Sequence, residues 1–507
     1  DNKMIKNLFL YIFIIQFSFL ELFSQSNVKN IDEKDIDSTI TKIMHEWKVP
    51  GLSIAIVKND SVVLIKGYGY RDINKKLPVN NQTLFGIASC TKAFTCTALG
   101  ILVDRNKLNF NKLVKEIIPE FKLSDDYATN HITVRDLVTH QSGLPRHDRL
   151  WYMSPLNRYE LMQRMQYLEM NKDLHQIYQY NNLMYVVAGI VIEKIENTTW
   201  EDFVRKNILI PLEMKNTYLS INDLIKNENH ALPYGEIFGK VDTLPYCNLD
   251  AAGPCGSINS CAEDMAKWLV MNMNSGKFKN LAIINENTLK EIHSPQILSS
   301  KTIDYDELYY SLYGMGWGIN KYRNNLLYSH SGSIDGYASL VTFMPKEKLG
   351  IVILTNLEGN TIHRTIAYYI YDKYLGLEPI NWNERARERD QKNKISEENS
   401  LKKDDSLKVK NTKPSHNLSS YVGEYQNPAY GKVSVKLENG RLRLYYNNYF
   451  YTLEHYHYDV FIANKPDWQD RKKIKFEMDK TGEITTLLIP FEPLVNDIIF
   501  KKLNVAK

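Results

Sequence analysis

Helix and strand patterns are segregated along this chain, and their order restricts the folds that it can adopt. Near its start, a turn at Lys58-Asn59-Asp60 separates two strand patterns, SIAIV and VVLIKGYGY. Residues from about 83 to 269 show mostly helix and loop patterns, and strand patterns then return in NNLLYSHSG, YASLVTFMP and LGIVILTN. Strands at both ends with helices between them predict an α+β domain, in which helices flank an antiparallel sheet built from both ends of the domain.

The composition changes after this domain, which we place at residues 30–380. Residues 381–414 are highly charged and almost free of aromatic side chains, which predicts an exposed helix running into a linker. From residue 415 to residue 507 the patterns are all strand, with hairpin turns at Asn439-Gly440 and Thr481-Gly482. We therefore predict a second domain at residues 415–507, a small all-β barrel.

Residues 1–26 have the pattern of a secretory signal peptide. Lys6 precedes the apolar run LFLYIFIIQFSFLELF, and small residues at Ser24 and Ser26 suit a signal peptidase. Three residues precede Met4, which we take as the natural start. The segment predicts an exported protein, either periplasmic or secreted. If it stays uncleaved it would anchor the protein, which is the only membrane association that we expect.

The charge and the cysteine content exclude several classes of function. The net charge is +4 over 507 residues, and basic residues do not cluster with aromatic ones, so we expect no nucleic-acid partner. The five cysteines match no zinc spacing and no His-x-x-x-His motif occurs, so we expect no metal and no cofactor. Export would permit a disulfide between Cys255 and Cys261.

An ammonium group occurs within an almost entirely apolar segment, FGIASCTKAFTCTALGILVD. Ser89 and Lys92 are three residues apart, so on a helix their side chains share one face. Burial there would favour the neutral lysine, and a neutral amine can take the proton of a serine hydroxyl. A helix N-terminus at Ser89 would favour developing negative charge. Taken alone, this segment is explained equally well by a non-catalytic alternative. In that case Ser89 caps the helix and the Lys92 side chain extends to solvent.

Two further motifs favour catalysis. Tyr180-Asn181-Asn182 precedes an apolar helix pattern, and His330-Ser331-Gly332 lies on a strand pattern where glycine permits close approach of the backbone. With these three motifs in this order, residues from about 40 to 375 resemble the serine β-lactamase-like, penicillin-recognising hydrolases. The similarity is greatest to the branch of class C β-lactamases, D-aminopeptidases, alkaline D-peptidases and related esterases. The C-terminal segment is similar to the lipocalin-like barrel that follows the catalytic domain in some members.

The resemblance implies a role for each matched residue. Ser89 would be the nucleophile that forms an acyl-enzyme, Lys92 the base that activates it, and Tyr180 a partner in proton transfer. The backbone N–H groups of Ser89 and Ser333 would form the oxyanion hole. The substrate-binding residues would be Asn182, His330, Ser331 and Gly332.

One departure from the family pattern concerns the substrate. His330 stands where the β-lactamases and cell-wall peptidases usually have lysine, and a histidine with an ordinary pKa near 6.5 is mostly neutral at pH 7. The resemblance therefore predicts a serine hydrolase of peptides, including D-amino-acid peptides, or of esters. The alternatives are a β-lactamase or penicillin-binding D-Ala-D-Ala carboxypeptidase, and a non-catalytic binding member of the fold. The expected partner is a small peptide, ester or β-lactam-like substrate.

Overall fold

The structure, a computed structural model, describes residues 32–237, 239–302, 304–465 and 471–503. The predicted signal peptide, residues 1–26, lies outside the described residues. Within the described part of the chain, no helix combines the length and the apolar character needed to cross a membrane.

A nine-stranded antiparallel sheet forms the centre of the first domain. The strands of this domain, in chain order, are β1 (Gly51–Lys58), β2 (Ser61–Asp72), β3 (Leu77–Pro78), β4 (Phe85–Gly86), β5 (Tyr234–Ile237), β6 (Lys240–Thr243), β7 (Asn259–Ser260), β8 (Lys277–Phe278), β9 (Leu281–Ala282), β10 (Ile297–Ser300), β11 (Leu308–Tyr313), β12 (Gly318–Tyr322), β13 (Asn325–Ile334), β14 (Tyr337–Met344) and β15 (Leu349–Thr355). The sheet order is β10-β11-β12-β13-β14-β15-β1-β2-β3. β1 pairs with β15, from Leu52 opposite Thr355 to Lys58 opposite Leu349. This pairing joins the two ends of the domain and confirms the predicted sheet.

Helices cover both faces of the sheet. They are α1 (Glu33–Glu46), α2 (Thr91–Asp104), α3 (Val114–Ile117), α4 (Asp126–His131), α5 (Val134–Thr139), α6 (Arg158–Arg164), α7 (Leu183–Glu196), α8 (Trp200–Val204), α9 (Ile221–Leu224), α10 (Gly253–Gly256), α11 (Ala262–Met273), α12 (Glu286–Ile292), α13 (Ile362–Leu375) and α14 (Trp382–Ser406). Alternate side chains of β1 pack into different helical layers, because successive side chains of a strand point to opposite faces of the sheet. Ile54 and Ile56 lie in the core with α1 and α13. Ala55 and Val57 lie in the core with α2, α7 and α11.

The second domain is a closed antiparallel barrel. Its strands are β16 (Gly423–Asn427), β17 (Gly431–Glu438), β18 (Arg441–Tyr446), β19 (Tyr449–His457), β20 (Val460–Asn464), β21 (Arg471–Met478), β22 (Ile484–Ile489) and β23 (Ile498–Lys502). Pairing of Tyr425 with Lys502 joins β16 to β23 and closes the barrel, which removes the exposed edges of an open sheet. The predicted barrel is thus confirmed, and its lipocalin-like identity stays a prediction.

The cysteines do not form the disulfide that export would permit. All five are free and buried, including Cys255 and Cys261. Cys255 lies in α10, and Cys261 lies just before α11. They therefore act as small core residues, which is the usual role of a buried free cysteine.

Candidate active site

Ser89 lies on a sharp turn immediately before the buried helix α2. The turn is a single 3₁₀ segment, Ala88–Cys90, and α2 begins at Thr91. Ala88 has a φ angle of 45°, in the left-handed region that residues other than glycine rarely adopt. Such backbone strain is found preferentially at functional sites. The turn places the Ser89 side chain in a cavity at the end of α2.

Lys92 is fully buried on the first turn of α2, and its side chain meets that of Ser89. Its Nζ atom lies 3.2 Å from Ser89 Oγ, and it donates to Asn182 Oδ1 at 2.8 Å and to the Cys255 carbonyl oxygen at 2.9 Å. The last two atoms can only accept hydrogen bonds. A neutral amine has two N–H bonds, so these two acceptors use both. The nitrogen lone pair is then left for the Ser89 hydroxyl.

The surroundings of Lys92 favour this neutral form. Burial lowers the pKa of Lys92 to about 8, and the positive charge of Arg146 acts in the same direction. The ordinary value for lysine is near 10.4. With a pKa of about 8, roughly a tenth of Lys92 is uncharged at pH 7, and this neutral fraction can act as a general base.

Tyr180 lies beside the serine and lysine and keeps its proton. Lys92 Nζ is 4.8 Å from the centre of the Tyr180 ring, and the guanidinium carbon of Arg146 is 5.0 Å from it. Burial raises the pKa of Tyr180, although a hydrogen bond with Ser89 and the charge of Arg146 oppose the shift. A protonated phenol next to a neutral amine can pass a proton between the nucleophile and a leaving group.

Asn182 has both ends of its amide engaged by the protein. Its Oδ1 atom accepts from Lys92, and its Nδ2 atom donates to Asp148 Oδ1 at 3.0 Å. Asp148 also accepts from Trp151 Nε1 at 2.8 Å and pairs with Arg146 Nε at 2.5 Å. Because a carboxylate can only accept, Asp148 fixes the orientation of the amide and presents Oδ1 to Lys92.

Strand β13 packs directly against the turn that carries Ser89. Its Gly332 has no room for a side chain, since a Cβ atom there would lie 2.1 Å from the Ile87 carbonyl oxygen and 2.9 Å from Ser89 N. Ser339 Oγ, from the neighbouring strand β14, donates to the same Ile87 oxygen at 2.8 Å. Ser333 follows Gly332 on β13 and lines the cavity that contains Ser89. The structure thus brings Ser89, Gly332 and Ser333 together.

His330 and Ser331 lie on a different cavity. They line a space of about 350 Å³ with Tyr178 and Tyr180. His330 Nδ1 bonds to the Ser331 carbonyl oxygen at 2.7 Å, and Nε2 bonds to the Tyr313 hydroxyl at 3.1 Å. Burial and the neighbouring Lys92 lower the pKa of His330 to about 3. His330 is therefore neutral at pH 7 and supplies no positive charge.

The cavity containing Ser89 has a volume of about 640 Å³ and is shared between the two domains. Asn182, Arg146 and Asp148 contribute to its wall from the first domain. The residues that the barrel domain contributes to its wall are Lys472, Phe491, Glu492, Pro493 and Leu494. The wall of the cavity around Ser89 is therefore built from both domains.

Comparison with known proteins identifies the family. Residues 36–374 match the family described as Beta-lactamase. The chain belongs to this family. Its members are in general serine hydrolases. Residues 407–505 match a second family, described as a domain of unknown function, DUF3471.

Individual relatives agree with this assignment. The chain is 26% identical to the unguisins hydrolase ungD' of Aspergillus campestris over 437 residues, which is 82% of this chain and 79% of that protein. It is 29% identical to protein flp of Staphylococcus aureus over 346 residues, 67% of this chain and 66% of that protein.

Two solved structures share the fold of this family member. The octameric penicillin-binding protein homologue of Pyrococcus abyssi aligns over 93% of this chain and 100% of its own, with a TM-score of 0.62 and 23% identity. The penicillin-binding protein of Bacillus halodurans aligns over 66% of this chain and 99% of its own, with a TM-score of 0.55 and 22% identity. The first alignment extends over most of both domains described above.

Several residues around the site were missed by sequence reasoning. Arg146 and Asp148 follow the segment THQSGLP in a loop, where neither helical nor strand periodicity indicates the direction of a side chain. Glu492 comes from the barrel, for which sequence reasoning named no residue near the site. A charged Arg-x-Asp pair close to a family segment was the available signal for the first two.

Proposed function

We propose that this protein is a serine hydrolase that cleaves peptide or ester substrates through an acyl-enzyme on Ser89. The observation that carries the proposal is the environment of Lys92 Nζ. It lies 3.2 Å from Ser89 Oγ and has fixed acceptors for two N–H bonds in Asn182 and the Cys255 carbonyl. A buried amine held in this way is suited to accept the serine proton.

The reaction proceeds in two halves. In the first, Ser89 Oγ attacks the substrate carbonyl carbon while Lys92 takes the hydroxyl proton. The backbone N–H groups of Ser89 and Ser333 stabilise the resulting oxyanion, a contribution of about 3 kcal/mol for each donor in comparable hydrolases. The proton then reaches the leaving amine or alcohol through Tyr180, and the acyl-enzyme forms. In the second half, water gives a proton to the same groups and attacks the acyl carbonyl carbon. The bond between that carbon and Ser89 Oγ then breaks, the acid product leaves, and Ser89 Oγ takes the proton back from Lys92.

The neutral His330 bears on the choice of substrate. A fixed positive charge at this position would attract the carboxylate of a penicillin, and a buried imidazole with a pKa of about 3 does not. We therefore propose peptides and esters as the substrate class. The name of the Aspergillus relative, unguisins hydrolase, is consistent with hydrolysis as the reaction.

One observation supports a second candidate, hydrolysis or binding of anionic β-lactams. Arg364 of α13 donates from Nη2 to Ser331 Oγ at 3.3 Å, and 51% of its side chain is exposed. It supplies the positive charge that His330 lacks at this end of β13. An Arg364→Ala variant separates the two candidates, because only reaction with anionic substrates depends on that charge.

The decisive experiment measures the mass of the intact protein after exposure to a fluorophosphonate, a penicillin and an activated ester. A Ser89→Ala variant is treated in parallel. An adduct on the parent that is absent from the variant supports the acyl-enzyme, and the reagent that reacts indicates the substrate class. A folded parent that gains no mass from any reagent contradicts the proposal in favour of a non-catalytic binding protein.

Export is part of the proposal. Residues 1–26 would direct the chain to the periplasm or the outside of the cell, where peptides and esters of external origin are available. Mass measurement of the protein recovered from the exporting cell tests this, because cleavage after residue 26 removes a defined mass. Recovery of the full-length chain in the cytoplasm contradicts it.

A further inference from the structure

His147 connects the barrel to the catalytic site. It is fully buried and has a φ angle of 46°. Its backbone N–H donates to Glu492 Oε2 at 2.8 Å, and its ring nitrogens bond to the Tyr430 hydroxyl at 2.8 Å and to the Glu169 carbonyl oxygen at 2.9 Å. Glu492 and Tyr430 belong to the barrel domain, whereas Glu169 belongs to the first. The left-handed residue is thus held from both domains at once.

The hydrogen-bond partners fix the state of the imidazole. The Glu169 carbonyl can only accept, so Nε2 carries the proton and donates to it. In a neutral ring Nδ1 then accepts from the Tyr430 hydroxyl. Burial lowers the pKa of His147, which keeps the ring neutral near pH 7. Both ring nitrogens have their hydrogen-bond partners within the protein. Together with the backbone hydrogen bond to Glu492, these contacts hold the backbone of His147 in place.

The residues on either side of His147 control the environment of the proposed base. Arg146 lies over the ring of Tyr180, and Asp148 accepts from the Nδ2 atom of Asn182. Asn182 in turn accepts from Lys92 Nζ. An unbroken series of contacts therefore runs from the barrel to the lysine, and each link is a hydrogen bond or a peptide bond.

We propose that Glu492 and Tyr430 are positioning residues for the serine–lysine site. They hold His147, and through it they hold Asp148 against Asn182. The inference rests on the proposed hydrolase function, and it makes the docked barrel part of the catalytic apparatus. The barrel would then be needed for the chemical step itself and not for substrate binding alone.

Geometry explains why a small displacement matters. If the backbone at His147 moves, the Asp148 carboxylate moves with it, and the Asn182 amide is free to rotate. Rotation would turn its NH₂ group toward Lys92 Nζ, which then competes for the lone pair that Ser89 needs. Misplacement of about 1 Å in a catalytic group can cost about a hundredfold in rate.

Lys92 is surrounded by titratable groups from several elements, and the pH dependence of the reaction reports on their arrangement. Arg146 lowers the pKa of Lys92 and Asp148 raises it. If segment 146–148 shifts, the contributions of both residues to the pKa of Lys92 change. A general loss of stability leaves the pKa of Lys92 in the folded molecules unchanged. The other titratable groups around Lys92 in the described part of the chain are Cys90, Cys96, His140, Tyr180, Tyr185, Cys255 and His330.

The test compares three variants of the full-length protein, Glu492→Ala, Glu492→Gln and Tyr430→Phe. The rate of Ser89 acylation by a fluorophosphonate is followed by intact mass, and kcat, KM and the pH profile are measured with an activated ester. We expect Glu492→Ala and Tyr430→Phe to lower the acylation rate and kcat by about tenfold or more. Glu492→Gln keeps an amide oxygen that accepts from His147 N, so we expect it to stay within about twofold of the parent.

The controls are Glu454→Ala and Tyr458→Phe, exposed residues of the barrel. We expect parental rates from both. Tyr430 does not line the cavity with Ser89 among the residues that the structure describes there, so its variant should lower kcat and leave KM unchanged. It removes a single oxygen atom, so it decides the question if Glu492→Ala fails to fold.

The outcomes separate this inference from the function on which it rests. If the parent is acylated, and Glu492→Ala and Tyr430→Phe react at the parental rate with the parental pH profile, the positioning role is wrong while the hydrolase function stands. If the parent is not acylated by any reagent, the hydrolase function fails and the positioning role fails with it.

Discussion

Asn182 Oδ1 lies 2.8 Å from Lys92 Nζ, closer than the 3.2 Å that separates Lys92 Nζ from Ser89 Oγ. The amine is therefore anchored by the asparagine and directed at the serine. This arrangement gives Asn182 a role inside the protein, in addition to the substrate contact that the resemblance implies. It also makes the orientation of one amide group decisive for the proposed base.

Replacing Lys92 with arginine tests the need for a neutral base. A guanidinium stays charged and cannot take the Ser89 proton, so we expect kcat/KM for an activated ester to fall by roughly 10²–10⁴-fold. Lys107→Arg is the matched control, because Lys107 is an exposed lysine paired with Glu196 and should tolerate the change. Turnover of Lys92→Arg at the parental rate, with the protein folded, would show that Lys92 is not the base.

The pH dependence of acylation should report the titration of Lys92. Only the neutral amine can accept the proton, and burial lowers the pKa of Lys92 to about 8. We therefore expect kcat/KM to rise with pH and to reach its half-maximal value near pH 8. A profile recorded from pH 5 to pH 10 on a neutral ester checks this. A rise centred near pH 10.4, the ordinary value for lysine, would contradict the buried, desolvated environment.

Asp148→Asn should change both the rate and the pH profile. The negative charge of Asp148 raises the pKa of Lys92, so its removal should move the rise in kcat/KM to lower pH. An asparagine can also present its NH₂ group to Asn182, and we expect kcat to fall by roughly tenfold, the size of a lost hydrogen bond to a charged group. The control is Asp126→Asn, an exposed residue of α4. A profile that stays in place or moves to higher pH would refute the role of Asp148.

Gly332→Ala tests the contact between β13 and the nucleophile turn. The added Cβ atom would lie 2.1 Å from the Ile87 carbonyl oxygen and 2.9 Å from Ser89 N, so the strand or the turn must shift. We expect loss of Ser89 acylation together with a lower free energy of unfolding, by about 1–3 kcal/mol for an overpacked core position. Urea denaturation measures the second quantity. Ser329→Ala, on the same strand, adds no atom and should retain activity, whereas parental behaviour of Gly332→Ala would disprove the contact.

The fold followed largely from patterns that are local in sequence. The runs SIAIV and LGIVILT form β1 and β15, strands whose residues are almost all buried. The apolar segment around Lys92 forms α2, which is buried from Thr91 to Leu102. The charged segment after residue 381 forms the long, largely exposed helix α14. Periodicity and composition determine these features because burial of apolar side chains drives them.

Only part of the candidate site could be predicted from the sequence. Ser89, Lys92 and Asn182 were named from motifs, and the structure brings their side chains together. The sequence did not show that His330 lines a separate cavity from Ser89, because each cavity is walled by several elements that only the folded chain brings together. For Asp148 the available signal was its place in an Arg-x-Asp pair close to a family segment.

What the sequence by itself determined is the chemical identity of the proposed reacting groups, a serine and a lysine spaced to share one helical face. Only the tertiary structure decided that burial lowers the pKa of the lysine, that an asparagine and a carboxylate hold it, and that the barrel contributes Glu492 and Tyr430 to the same network. Side-chain chemistry and helical spacing are local properties of the chain. Desolvation, hydrogen-bond partners and the pKa values that they set depend on groups distant in sequence, which only the folded chain brings together.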